Sequence, residues 1–147
     1  MNDRILVEWD DRYLVSIPRI DEQHKKLITM TNTLYQGCLE GDAKARIYFM
    51  QAIHGTVDYV KYHFSAEEKI LESINYPDIG DHKREHEGFI RHIFEEVKSF
   101  ESGKKFVPND FVRYLKDWIL AHIALTDKKY AQYILNLKKE RRLTIEL

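Results

Sequence analysis

His82-Lys83-Arg84-Glu85-His86-Glu87-Gly88-Phe89-Ile90-Arg91-His92-Ile93-Phe94-Glu95-Glu96-Val97-Lys98-Ser99-Phe100 carries the pattern from which the architecture follows. His82, His86, Phe89, Ile93, Val97 and Phe100 recur by threes and fours, the stripe of an amphipathic α-helix. Two members of that stripe are histidines one turn apart, so both imidazoles sit on the face meant for the core. A helix of this kind needs neighbours that carry ligand-type side chains on their own inner faces. The rest of the chain supplies three.

Upstream, Leu27, Ile28, Thr31, Leu34, Tyr35 and Cys38 form a stripe that His24 extends one turn back. This helix is expected to start with Asp21 as N-cap and to stop at Gly41. Asp42 is expected to cap a second helix with Ile47, Met50, Ile53, Val57, Val60, Phe64, Leu71 and Ile74 on its apolar face, ending at Tyr76-Pro77. His63 and Glu67 lie on it at i, i+4. The third helix, following Gly80 and Asp81, is expected to end at Ser102-Gly103. The fourth follows Pro108 with Asn109 or Asp110 as cap. It runs through Phe111, Leu115, Trp118, Ile119, His122 and Leu125 to about Leu137. Pro18, Pro77 and Pro108 fall between the periodic segments, as helix breakers should. The expected fold is all-α: an antiparallel up-down-up-down four-helix bundle. Residues 1–147 are read as one domain, with an N-terminal arm over 1–18, the bundle over 19–137 and a basic tail over 138–147. The arm carries Trp9 and Tyr13 and is expected to pack across the bundle.

A net charge of -1 excludes the global basic field that drives nucleic-acid binding. The run Lys138-Lys139-Glu140-Arg141-Arg142 is read as a solvated helix end that complements the helix dipole. No apolar stretch is long enough to span a membrane, and Met1-Asn2-Asp3-Arg4-Ile5 does not begin a signal peptide. The single cysteine, Cys38, excludes an internal disulfide and reads as a small buried hydrophobe. A cytoplasmic location is expected.

Ligand-type residues interrupt the apolar stripe in all four segments. Burying four or five imidazoles and two carboxylates without partners is costly, and metal coordination removes that cost. Imidazole and carboxylate suit non-haem iron. Five histidines are too many for one tetrahedral ion. Two ions are therefore expected, bridged by Glu67 and Asp127. His82, His86 and His122 serve one iron, and His24 and His63 the other. The second ion is left under-coordinated, open to a small exogenous ligand. At about 100° per residue, His54 lies about 180° from His63 and His92 about 120° from His86, so neither is expected to be a ligand. Asp127 stands about 140° from His122 by the same rule and must reach in from the flank.

Four motifs, taken together, resemble bacterial hemerythrin-domain proteins over nearly the whole chain. They are Ile20-Asp21-Glu22-Gln23-His24-Lys25, His63-Phe64-Ser65-Ala66-Glu67-Glu68, His82-x3-His86, and Trp118-Ile119-Leu120-Ala121-His122 with Asp127. The resemblance implies a non-haem di-iron centre with an oxo or hydroxo bridge that binds O2 reversibly, and the same division of ligands. Ile119, Phe64 and Trp118 are candidate walls of the O2 pocket, which would also admit small anions such as azide. Carriage, storage or buffering of O2 is the expected role, with no enzymatic turnover. The alternatives are an O2 or redox sensor, which needs an output domain not expected here, and a di-iron protein that handles peroxide or iron. The histidine-rich ligand set, unlike the Glu-x-x-His repeats of oxygen-activating bundles, favours binding. No protein partner is indicated.

Overall fold

The computed structural model describes residues 5–39, 42–103 and 108–140. Among them there is no strand. A one-turn 3-10 helix, Asp11–Tyr13, lies in the arm. Four helical segments follow: α1 Pro18–Cys38, α2 Asp42–Ser73, α3 Ile79–Glu101, and a long fourth segment in three parts. Those parts are α4 Pro108–Ala121, a π-helical turn His122–Thr126, and α5 Asp127–Lys139. α1 packs on α2 and α4, and α2 on α3. Phe89 of α3 stacks on Trp118 of α4 with ring centroids 3.8 Å apart.

Two apolar clusters fill the bundle. One holds Leu27, Leu34, Ile53, Val60, Phe89, Leu115 and Ile119 among others. The second holds Ile17, Ile20, Leu71, Ile74, Tyr130 and Ile134. The ligand-type residues fall between them along every helix: His24 between Ile20 and Leu27, Glu67 between Phe64 and Ile70, and Asp127 between Ile123 and Tyr130. The polar layer is thus closed at both ends by apolar packing. The arm lies along α1, where the side-chain Oδ1 of Asn32 accepts from the backbone N–H groups of Leu6 and Val7 and its Nδ2 donates to Val7 O.

Several expected boundaries move. α1 starts at Pro18, whose fixed φ and missing N–H suit the first helical position. Asp21 is therefore inside the helix rather than its cap, and its buried carboxylate accepts from Val15 N–H at 2.8 Å. Asp42 is the first residue of α2 rather than the cap before it. Gly80 and Asp81 belong to the first turn of α3, and Asn109 and Asp110 to that of α4. Gly103, at φ 78°, ends α3 in the left-handed region that glycine enters at no steric cost. The expected stop at Gly41 and the tail beyond Glu140 lie outside the described residues.

The apolar face of α2 also differs. Ile47 is 60% and Met50 62% exposed, while Phe49 is buried. Phe49 leads to Ile53 and Val60 along the inner face, and Ile47, two residues earlier, points about 200° away. Tyr35 and Cys38 are only half-buried. Leu125 is 68% exposed because the π-turn carries it off the stripe. The stripe expected on α3, by contrast, coincides with its buried residues.

Candidate metal centre

All seven candidate ligands converge in one buried layer: His24, His63, Glu67, His82, His86, His122 and Asp127. Their ligand atoms form two groups. Glu67, His82, His86 and His122 make one, and His24, His63 and Glu67 the other. Glu67 belongs to both, with one oxygen for each. Its Oε1 lies 2.7 Å from His82, 3.1 Å from His86 and 3.8 Å from His122. Its Oε2 lies 3.5 Å from His24 and 3.6 Å from His63. Asp127 divides the same way, with Oδ1 at 3.4 Å from His82 and 3.0 Å from His122, and Oδ2 at 3.2 Å from His24.

Asp127 reaches the layer by a device that uniform helical phase misses. Its backbone N–H bonds to His122 O, an i to i+5 closure. Such a turn holds one residue more than an α-turn. It brings the fifth residue round to where the fourth stands in an α-helix. Asp127 therefore lies over His122 on the inner face rather than about 140° away on the flank.

The layer lacks the hydrogen bonds that would satisfy it. Both His24 nitrogens, His122 Nδ1 and both Asp127 oxygens are buried without a hydrogen-bond partner. His86 Nε2 faces His122 Nε2 at 3.0 Å, so two imidazole lone pairs can meet there. Converging lone pairs and bare carboxylate oxygens in a dry layer are unfavourable unless a cation sits among them. Five imidazoles and two carboxylates fit borderline divalent ions such as iron.

Without metal, protons take that place. Burial works against charge on His24, but Asp127 and Glu67 outweigh it and raise its pKa to about 9. His122 is raised to about 10 against the same penalty by the same carboxylates. Burial pulls His63 down to about 4. Burial works to raise Glu67, but the imidazoles of His122, His24, His82 and His86 around its two oxygens outweigh it and hold the carboxyl well below the usual range. Asp127 is also lowered, burial and Glu67 being overcome by His122 and His24.

The remaining candidates take up different places. Phe64 stacks on His86 at 3.7 Å, and Trp118 on His122 at 4.5 Å. Both rings therefore back the three-histidine group. Ile119 is buried in the apolar cluster beside the layer. His54 faces Glu101 at 2.9 Å and His92 faces Glu96 at 3.8 Å, both away from the layer. Sequence reasoning missed Tyr130, whose hydroxyl donates to Glu67 Oε2 at 3.0 Å. Burial pushes its pKa well above the usual range, so it stays a donor. Its place three residues after Asp127, on the same face, was the available signal.

A family model described as Hemerythrin HHE cation binding domain matches residues 15–134. The chain is 32% identical over 129 residues to a bacteriohemerythrin of Stenotrophomonas maltophilia, covering 88% of this chain and 82% of that protein. It is 30% identical over 122 residues to a hemerythrin-like protein of Naegleria gruberi, covering 83% and 88%. A crystal structure of wild-type hemerythrin is similar with a TM-score of 0.79 at 29% identity, over 86% of this chain and 96% of that one. The matched span includes α1, α2 and α3, most of the fourth helical segment and every residue of the buried layer, and the chain belongs to the hemerythrin family.

Proposed function

We propose that the chain binds O2 reversibly at a centre of two iron ions and serves to carry, store or buffer it. The observation that carries this reading is the split of Glu67 and Asp127, each turning one oxygen to the three-histidine group and one toward His24. Two carboxylates so disposed suit a bridged pair. In this reading His82, His86 and His122 hold one ion, His24 and His63 the other, and Glu67 and Asp127 both. Two ferrous ions held there would supply the two electrons that reversible O2 binding requires.

The chain's own residues do the rest. Tyr130 fixes Glu67 through its hydroxyl. Phe64 and Trp118 stack on His86 and His122 and hold those rings in place with an apolar backing. Ile119, buried in the apolar cluster beside the layer, would wall the side of the two-histidine ion and limit the access of O2 or of a small anion such as azide. The protein returns its ligand rather than turning it over. It works in a reducing compartment, the cytoplasm, where Cys38 stays a thiol. No helix of the described residues is long and apolar enough to cross a membrane.

Metal analysis tests this directly. Purified protein is expected to hold about two irons per chain, in line with a ligand set too rich for one tetrahedral ion. The oxidised irons should be magnetically coupled. His54→Ala and His92→Ala should keep both ions, and Glu67→Ala should lose the coupling. One uncoupled iron per chain would refute the reading.

A further inference from the structure

Each imidazole has a second nitrogen, and what it meets differs between the two groups. On the three-histidine side, His86 Nδ1 lies 2.8 Å from Glu68 Oε2. His122 Nδ1 lies 3.6 Å from Glu85 Oε1, within ion-pair range. Glu85 is itself held by Thr126, whose hydroxyl donates to it at 3.0 Å. On the two-histidine side, His63 Nδ1 lies 2.7 Å from Gln23 Oε1, and His24 Nδ1 meets no hydrogen-bond partner. One carboxylate, Glu68, is hydrogen-bonded to one group, with a second, Glu85, at ion-pair distance. A single neutral amide backs the other.

The chemistry of the inner nitrogens fixes the outer ones. A nitrogen that binds metal gives its lone pair, so the proton sits on the opposite nitrogen. His86 and His63 thus donate from Nδ1, to a carboxylate in one case and to a carbonyl oxygen in the other. A charge-assisted bond is the stronger of the two and makes the imidazole the more basic ligand. A more basic ligand favours ferric over ferrous iron.

We propose, resting on the di-iron reading above, that Gln23 and Glu68 are positioning residues that set the two ions at unequal reduction potentials. The amide-backed ion is the more easily kept ferrous. That inequality serves reversibility, because the ion that faces the exogenous ligand takes its electron back more readily when its imidazoles are backed by no charge. Gln23 is 6% exposed, so the amide is placed where solvent screens it little. Glu68 is partly exposed, which makes its contribution the smaller per charge.

A redox titration of the iron-loaded protein, followed by optical and Mössbauer spectra, tests this with two isosteric variants. The parent is expected to take up two electrons in two separate one-electron steps. Glu68→Gln should raise the lower step, by about 59 mV for a tenfold shift in that ion's equilibrium, and leave the upper step in place. Gln23→Glu should lower the upper step and speed oxidation of the oxygenated protein. Both changes narrow the gap, which a purely structural loss of packing or iron does not do. If Gln23→Glu fails to fold, Glu68→Gln decides alone, since its site reaches the surface. Steps that stay in place, or move together, in iron-replete Glu68→Gln would overturn the inference and leave the di-iron reading standing. A parent that takes up only one electron would overturn both.

Discussion

Ile119 is the residue on which ligand access should turn. It is 5% exposed and packs in the apolar cluster that includes Leu27, Val60 and Ile123, at the boundary of the polar layer. Phe64 and Trp118 stack on ligands of the three-histidine group, which leaves Ile119 as the candidate wall for the other ion. Replacing it with alanine removes atoms without changing any ligand, so the cavity left behind admits water and small anions. Ile119→Ala is expected to retain its iron, to lose roughly 2–4 kcal/mol of stability as for other buried large-to-alanine changes, and to speed both autoxidation and azide binding. Stopped-flow azide binding and the decay of the oxygenated form measure this. Rates equal to the parent's would make Ile119 ordinary core.

At the level of the helices, the decisive element is the π-turn. His122–Thr126 amounts to one residue inserted into an α-helix, and Leu125 is its exposed member. Deleting Leu125 is expected to restore a continuous α-helix with His122 and Asp127 four apart on one face, so iron binding and fold should survive. Deleting Lys129, just past Asp127, turns Tyr130, Ile134 and Leu137 about 100° off the core and should unfold the C-terminal half. Iron content and circular dichroism of the two deletions separate the cases. Equal loss of iron in both would mean the turn does more than restore phase. The same element marks where the sequence stops being legible. The α3 stripe and the ligand-type residues could all be read from spacing, because α3 is uniform and its ligands recur at four. Asp127 could be named but not placed, since periodicity assumes one helical pitch throughout. Ile47, Met50 and Leu125 were misassigned for a related reason: hydrophobicity says a residue could be buried, and only the neighbouring helices say which face is. Gln23, Glu68 and Tyr130 left weaker traces, because an amide, a glutamate and a tyrosine beside ligands are ordinary helix residues.

For the molecule as a whole, metal and fold are linked through the protons that metal displaces. In the metal-free protein, His24 near 9 and His122 near 10 sit above the ordinary histidine value. Their contribution to stability is fully present below about pH 6.5 and is lost as pH rises through about 9 to 10. His63, near 4, acts in the opposite sense: the unfolded chain takes up its proton first, so stability falls between about pH 6.5 and 4. Glu67 and Asp127 add a further loss at lower pH, as they are protonated. Denaturant melts of the metal-free protein should therefore show greatest stability near pH 6.5, with an alkaline decline that iron loading removes, because imidazoles bound as neutral ligands have already given up the proton that titrates in that range. An identical alkaline decline in both forms would place the titrating groups elsewhere. Reversible O2 binding is measured by mixing the anaerobically reduced, iron-loaded protein with O2 while recording the optical spectrum. A charge-transfer band is expected to appear on mixing, vanish when O2 is removed under inert gas, and return on re-exposure. A single irreversible change to the ferric spectrum, with no recovery of the reduced form, would contradict it.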